Sequence, residues 1–545
     1  MADRVPTIFT RATNNYGEDV KFYVSHNGMS MPTQYLPVVA FRAGLFGTFS
    51  LRFFILKHTR PIVSGFIVSG GNLPPEENAV AYVQPKLPDV EQNDEFLKFC
   101  ECSDALLQER MMPSFRAQVE KDKQEGKFEN LATSYIVVGY DTRKDSARLA
   151  KCVVDGIDFL NIPTIKSVLL KEPITTPLHH LLTLMEDINF DIHDPLKYLR
   201  EFVASLANKI THIHGKSLNI DCANGVVALW ARYYIPEILA HKVYLSNARV
   251  DDPSLINHRC GVEFISKFHT RLNPSKKMIT HDHTAHFSSN GDKLGYSFVN
   301  SDGVFCYLDG FHIAYLILDF IYAHLGEDDF EITEEERNSL KYGVLTTYYT
   351  NGAFDKAILK YKDLFPNYKT EPFIQDLNNL VQRYDIGIYF SSVGYGIVHF
   401  STEIMDLMIS TNAYLYDFTA FFQYPTSDAC ATMLAVEYIL ARKSLSVAEW
   451  FESFKYLPWT FANCTVPNYE EYETDPNDSE VLLKPDNVRQ FTLKINKSGQ
   501  SRIYVRKGQK QNMILFYVEA ETKEMVNEII EDASKLMRGE LVVTE

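Results

Sequence analysis

A multi-domain α/β architecture is what this sequence predicts, and three observations carry it. The chain has 545 residues, too many for one hydrophobic core and suited to roughly three to five domains. Short β-branched runs alternate with apolar, periodic helical stretches over about four hundred residues, the pattern of parallel or mixed sheets covered by helices. An apolar fraction of 46% beside 23% charged residues is that of a folded globular chain, so disorder is not its dominant state.

The elements follow in order. After a polar start, Leu36 to Leu56 is long, apolar and periodic, interrupted by Arg42 and Arg52, and reads as a buried core helix. Ile62 to Val68 reads as a strand, Ser69 to Ala79 as a loop rich in Gly, Asn and Pro, and Val80 to Val83 as the strand that leaves it, which is the layout of an active-site loop. Glu91 to Phe128 is charged and helical. Ser134 to Gly139 is a strand that runs through Tyr140-Asp141-Thr142-Arg143 into an amphipathic helix ending near Leu160. Ser217 to Ile220, the turn Asp221-Cys222-Ala223-Asn224-Gly225 and a helix from Val226 to Tyr234 form another α/β unit. A strand ending at Phe287 opens into a polar loop, Ser288 to Leu294. A turn at Asn300 to Gly303 and an apolar helix to Leu325 come next.

Gly343 to Tyr349, Asp385 to Phe390 and Ile397 to Phe400 read as strands, and Cys430 to Leu440 and Ser444 to Phe454 as helices. The acidic, Pro- and Asp-rich Asn468 to Asn487 is expected to be an exposed loop. Phe491 to Ile495, Arg502 to Val505 and Met513 to Glu519 alternate as strands before a helix from Lys523 to Arg538, a small terminal α+β domain.

The net charge of −16 excludes broad binding to nucleic acid or to an anionic membrane, which needs a basic face over many phosphates. It leaves room for a phosphorylated small molecule, for which one basic loop suffices. No apolar segment of signal-peptide length opens the chain, and no uninterrupted apolar run approaches the roughly 20 residues of a membrane span, so a cytoplasmic protein is expected. Eight scattered cysteines without a CxxC pair point to reduced thiols rather than a zinc ribbon or a disulfide scaffold; Cys100 and Cys102 read as ordinary thiols. His281, His283 and His286 could suggest a metal cluster, but on a strand His286 would face away from the other two, and they are expected to be polar loop histidines.

The loop Val68-Ser69-Gly70-Gly71-Asn72-Leu73-Pro74-Pro75-Glu76-Glu77-Asn78-Ala79-Val80 resembles the catalytic loop of the α-D-phosphohexomutases, in particular the phosphoacetylglucosamine mutases, Thr-Ala-Ser-His-Asn-Pro-Glu-Glu-Asp-Asn-Gly-Val. Pro74, Glu76, Asn78, Val80 and Pro85 fall where the family has them. Asp141, Thr142 and Arg143 match Gly-Arg-Asp-Thr-Arg, with Tyr140 in place of its first arginine. Asp221 to Gly225 matches Asp-Cys-Ala-Asn-Gly, and Leu255 to Gly261 resembles Leu-Asn-His-Leu-Cys-Gly. The resemblance runs from about residue 24 to the end. It implies the multi-domain phosphohexomutase fold, three α/β mixed-sheet domains plus a C-terminal α+β domain around a central cleft. The serine loop falls in residues 1–178, the metal loop in 179–298, the sugar loop in 299–440 and the phosphate loop in 441–545.

The same resemblance implies a phosphoryl group carried on a serine, a Mg2+ ion, a loop gripping sugar hydroxyls and a second anion site, and this sequence departs from the pattern at each. The phosphoserine falls on Gly71, which has no oxygen to phosphorylate. The family's next histidine and asparagine fall on Asn72 and Leu73, and an arginine expected to face the phosphate falls on Ser30. Ser69, the only other hydroxyl nearby, lies on the same face of an extended chain but about 7 Å back, at roughly 3.3 Å per residue. The metal loop Asp-Gly-Asp-Ala-Asp-Arg becomes Ser288, Asn290, Asp292 and Lys293, one carboxylate where three would hold the ion; no cofactor is expected.

In the sugar loop, Phe-Glu-Ala-Asn-Gly-His-Gly becomes Phe390 to Gly396, with Ser391, Val393 and Tyr395 for the carboxylate, amide and imidazole. In the phosphate loop, Arg506, Lys507, Gly508 and Lys510 keep positive charge and a glycine, either as a residual anion nest or as a solvated basic turn. The expectation is therefore a mutase homologue that has lost phosphohexomutase activity and acts by binding: a phosphosugar or other anion, an active mutase paralogue, or another protein. A divergent active mutase that interconverts N-acetylglucosamine 6-phosphate and 1-phosphate is the alternative.

Overall fold

The computed structural model describes residues 23–25, 28–58, 60–83, 99–100, 107, 111–184, 217–233, 243–268, 283–325, 333, 335, 339–370, 377–411, 413–422, 426–475, 478–507 and 512–540. The chain divides into two compact units, one of residues 1–307 with 426–442, the other of 308–425 with 443–545.

The first unit opens with a six-stranded sheet of β1 (Tyr23–Ser25), β2 (Gly28–Pro32), β3 (Val63–Val68), β4 (Glu77–Val83), β5 (Ser134–Tyr140) and β6 (Ile165–Leu169), in the order β1-β2-β4-β3-β5-β6. β3, β5 and β6 run parallel, and β4 returns antiparallel between β2 and β3. β3 and β5 are near-continuous apolar runs because helices cover them. The helix Leu36–His58 packs there against the helix Ser146–Asp158. Two glycines let the helices touch: a Cβ at Gly44 would come within 2.0 Å of Val153 O, and one at Gly156 within 2.1 Å of Phe41 O. Leu36–His58 is the one helix among the described residues long and apolar enough to cross a membrane, and 89% of its most apolar stretch is buried inside the fold. Its two arginines find partners there: Arg42 Nη1 donates to Cys100 O at 2.8 Å, and Arg52 pairs with Asp122.

A second sheet, β7 (Leu218–Asp221), β8 (Val243–Ser246), β9 (His283–Phe287), β10 (Leu294–Val299) and β11 (Phe305–Leu308), has the order β11-β10-β9-β7-β8. β7 is parallel to both neighbours, and β10 turns back antiparallel on β9. The helix Ala429–Arg442 returns to this unit, and Ala429 N donates to Gly291 O at 3.1 Å. His283 and His286, expected in a polar loop, are instead buried on β9, each 6% exposed. Opposite faces of the strand give each an acidic partner: His283 Nε2 meets Glu437 Oε1 at 3.0 Å, and His286 meets Asp221 Oδ2 at 2.9 Å and Ser297 Oγ at 2.7 Å. A histidine so paired can be buried without orphaning its nitrogens. His281 lies outside the described residues.

The second unit carries β12 (Tyr342–Thr347), β13 (Asn367–Thr370), β14 (Ile386–Phe390) and β15 (Gly396–Phe400) in the order β13-β12-β14-β15. Its terminal part has β16 (Trp459–Thr465), the ribbon β17 (Glu473–Asp475) and β18 (Asp478–Lys484), then β19 (Ser501–Lys507) and β20 (Met513–Ala520). β20 lies antiparallel between β16 and β19, and the helices Asp486–Lys497 and Lys523–Met537 bury against this sheet.

Two expectations along the chain are corrected. Phe491 to Ile495 is helical, because Val488, Phe491 and Thr492 make a buried stripe at helical spacing that outweighs a short two-residue alternation. The strand missed in its place is β16. Asn468 to Asn487 is not an open loop but contains the β17–β18 ribbon, anchored by Tyr472 and Leu482, 1% and 7% exposed. Within Glu91 to Phe128 the helix Met112–Gln124 is found as expected and Gly126 follows at φ 67°, while residues 91–98, 101–106 and 108–110 lie outside the described residues. The rest of the architecture is the multi-domain, mixed-sheet α/β fold that the sequence predicts.

Candidate functional site

The loop between β3 and β4 is closed by its own backbone: Ser69 N donates to Ala79 O at 3.1 Å, Leu73 N to Gly70 O at 2.9 Å and Glu77 N to Pro74 O at 3.1 Å. Gly71 sits at φ 51°, in the left-handed region that glycine enters without steric cost. Three side chains from three places in the chain converge on its carbonyl. Arg143 Nη2 donates at 2.9 Å, Asn257 Nδ2 at 2.7 Å and Ser289 Oγ at 2.6 Å. Arg143 also reaches Leu73 O at 2.9 Å and Pro74 O at 3.1 Å, and Asn257 reaches Leu73 O at 3.0 Å.

The guanidinium of Arg143 is buried beside Asp141, with Nε 3.3 Å from Oδ2. Burial pulls its pKa below the usual arginine value, and Asp141 offsets only part of that. Gly70 makes the room, because a Cβ there would lie 2.4 Å from Arg143 Nε. Donors of the kind that could grip a phosphoryl group are thus spent on the backbone of the loop.

Asn72 is exposed and Ser30 is buried in β2, its Oγ donating to Gly28 O at 3.3 Å. Ser69, 3% exposed, donates to Asp141 Oδ2 at 3.0 Å and accepts from Gly71 N at 3.4 Å. Asp141 Oδ1 accepts from Ser146 Oγ at 2.5 Å and from Arg143 N at 3.0 Å. Asn257, Ser289 and, below, Glu263 were not singled out from sequence. Asn257 lies inside the matched Leu255 to Gly261 stretch, the only signal that could have found it.

The loop after β9 is held just as firmly. Ser288 Oγ accepts from Asp292 N and Lys293 N, both at 3.0 Å, and donates to Asp292 Oδ1 at 2.8 Å. The hydroxyl has nothing left for a cation. Asn290 Nδ2 donates to Thr176 Oγ1 at 3.2 Å, while its Oδ1 has no hydrogen-bond donor. Lys293 Nζ lies 2.8 Å from Asp292 Oδ1 and 3.6 Å from Glu263 Oε1. Burial alone would pull the lysine down, but Asp292 and Glu263 together raise its pKa above the usual value, and burial raises that of Glu263. A spent hydroxyl, one amide oxygen and a carboxylate already joined to an ammonium do not fit Mg2+, which demands near-octahedral oxygen ligation. Among the described residues, no group of three or more His, Cys, Asp or Glu side chains is placed to hold a metal ion.

In the second unit, the turn from β14 to β15 keeps its backbone: Ser391 N donates to Tyr395 O at 2.8 Å, Gly394 N to Ser391 O at 3.0 Å, and Gly394 takes φ 87°. Ser391 Oγ accepts from Tyr395 N at 3.2 Å, so it serves the turn, and Val393 offers no polar atom. Gly310 fits against this turn, where a Cβ would lie 2.0 Å from Ser391 O. At the end of β19, the Arg506 guanidinium stacks over the Tyr349 ring at 5.5 Å and Lys507 Nζ over Tyr469 at 4.6 Å. Gly508 and Lys510 lie outside the described residues. The dominant charge cluster here is one the sequence did not reveal: Arg502 donates to Glu519 at 2.6 Å, Asp355 at 3.0 Å and Thr350 O at 2.7 Å, fastening β19 to the region after β12.

The comparisons with known proteins agree with this layout. The family model described as phosphoacetylglucosamine mutase AMG1, domain III, matches residues 309–445. The human phosphoacetylglucosamine mutase is 25% identical over 533 residues, spanning 93% of this chain and 92% of the relative. That of Candida albicans is 24% identical over 547 residues, spanning 96% and 97%. A solved N-acetylglucosamine-phosphate mutase in its substrate complex superposes with a TM-score of 0.80 at 22% identity, over 98% of this chain and 99% of its own. An Aspergillus fumigatus N-acetylphosphoglucosamine mutase does so with a TM-score of 0.80 at 20% identity, over 99% of each. The likeness spans nearly the full length of these relatives: the chain resembles the phosphoacetylglucosamine mutases and shares the fold of the α-D-phosphohexomutase superfamily.

Proposed function

We propose that this chain is a phosphohexomutase homologue that has lost phosphoryl transfer and works by binding. The observation that carries the reading is Gly71: the position of the family's phosphoserine has no hydroxyl, and its carbonyl is engaged by Arg143, Asn257 and Ser289. A covalent phosphoryl carrier needs an oxygen within about 3 to 3.5 Å of the reacting phosphorus, and nothing at residue 71 supplies one. The ligand class in keeping with the fold is a phosphosugar or other anion held without turnover, with Arg506 and Lys507 as its cationic groups. An active mutase paralogue or another protein is the alternative partner. The test is conversion of N-acetylglucosamine 6-phosphate to the 1-phosphate with Mg2+ and a sugar bisphosphate primer. No product above a no-protein control is expected, and turnover at an enzymatic rate refutes the reading. A thermal-shift series with phosphosugars and inorganic phosphate separates the ligand classes: stabilisation identifies a sensor, and its absence a protein-binding module.

One observation favours a second reading, a divergent mutase. Ser69 Oγ donates to the Asp141 carboxylate at 3.0 Å, the arrangement in which a general base activates a hydroxyl. Against it stands the 3% exposure of Ser69. Mass spectrometry of the Val68 to Asn78 peptide after incubation with primer decides, since Ser69 is its only hydroxyl-bearing side chain.

A further inference from the structure

Lys293 is 3% exposed, and an ammonium so buried is costly unless carboxylates surround it. Two do: Asp292 Oδ1 at 2.8 Å and Glu263 Oε1 at 3.6 Å. Neither oxygen of Glu263 has a hydrogen-bond donor at normal distance, so the ammonium is the positive charge this carboxylate faces on the loop. The same loop gathers Ser288 Oγ onto Asp292 Oδ1 at 2.8 Å and leaves Asn290 Oδ1 without a donor. Two carboxylates thus converge on one positive charge, and the cation they hold is covalently part of the chain.

We propose that the Lys293 ammonium takes the place of a divalent cation, joining Asp292 and Glu263 so that the loop between β9 and β10 keeps its form without metal. With Ser289 in this loop bonded to Gly71 O at 2.6 Å, the tethered cation also braces the β3–β4 loop. The inference stands on the charge geometry of Lys293, Asp292 and Glu263 and not on the missing nucleophile at residue 71.

The test uses the full chain, stripped with EDTA and titrated with millimolar MgCl2 or MnCl2, reading thermal midpoint by circular dichroism and bound Mn2+ by electron paramagnetic resonance. Wild type should show the same midpoint in EDTA and in either metal, and no bound Mn2+. Lys293→Met should melt lower in EDTA, bind Mn2+ and recover part of the midpoint with metal, because Asp292 and Glu263 then face each other without a charge between them. Lys293→Arg should remain indifferent to metal. Wild-type stabilisation by metal overturns the proposal. A Lys293→Met loss that metal does not reverse also overturns it, since that assigns Lys293 a packing role only.

Should Lys293→Met fold in neither condition, Asp292→Asn serves. It should lower the midpoint equally in EDTA and in Mg2+, and an unchanged midpoint overturns the proposal. Turnover enters none of these readouts, so a chain that converts no phosphosugar yet is stabilised by Mg2+ would sink this inference and leave the functional reading standing.

Discussion

Gly71→Ser restores the side chain that the family pattern places at the serine loop, and its outcome follows from the backbone. Residue 71 has φ 51°, where an L-residue costs about 1 to 2 kcal/mol relative to glycine. The loop cannot relax this strain cheaply, because the carbonyl of residue 71 is held by Arg143, Asn257 and Ser289 at 2.6–2.9 Å. A hydroxyl introduced there also finds no phosphate grip, since those donors are already committed. The variant should therefore unfold at lower urea, by about 1 to 2 kcal/mol from linear extrapolation with unchanged m. It should form no N-acetylglucosamine 1-phosphate in a coupled assay, and no phosphoserine by mass spectrometry after exposure to a bisphosphate primer. A Gly71→Ser protein that turns over, or that is as stable as wild type, would refute the argument that the loop's donors are consumed by its own backbone.

Other expectations follow from the same region. Gly70→Ala puts a Cβ 2.4 Å from Arg143 Nε; displacing the guanidinium from its carbonyls should cost about 2 kcal/mol or more, at roughly 1.5 to 3 per charged hydrogen bond, read as a urea midpoint. Asn257→Ala removes two bonds to the loop, at 2.7 and 3.0 Å, and should cost about 1 to 3 kcal/mol while speeding amide exchange at Leu73 N. His179 is fully buried, with Nε2 3.0 Å from Val137 O and Nδ1 lacking a partner. Burial, aided by His180, lowers its pKa from 6.5 to about 3. The unfolded chain therefore takes up a proton that the folded one refuses, so stability is full above pH 6.5 and lost as pH falls towards 3. From pH 7 to pH 5 this group alone should remove about 2 kcal/mol, at about 1.4 per unit well below the unfolded pKa. His179→Gln should flatten the dependence by that amount, and an unchanged slope would contradict the assignment.

Where period and length agreed, the elements were legible. Leu36–His58, β3, β5 and Gly310–Leu325 stand within one or two residues of their expected bounds, because each is long or continuously apolar. The terminal domain was misread at Phe491 to Ile495, where five residues fit either period and only Val488, one turn earlier, marks the buried stripe. The histidines of β9 were misplaced because nothing near them in sequence announces Glu437, 154 residues away, or Asp221, 65 residues away.

By itself the sequence determined which atoms these positions carry: no side-chain oxygen at Gly71, one carboxylate among Ser288, Asn290 and Asp292, no amide at Val393. It determined the α/β alternation too, since both are properties of residues at their own positions or of neighbours along the chain. Only the tertiary structure decided what the surviving polar groups do. Arg143, Asn257 and Ser289 could serve a ligand as well as a backbone carbonyl, and Lys293 could face solvent as well as Asp292. A side chain's donors are the same in either role, and which acceptor they meet is set by distances between segments as far apart as 218 residues in sequence.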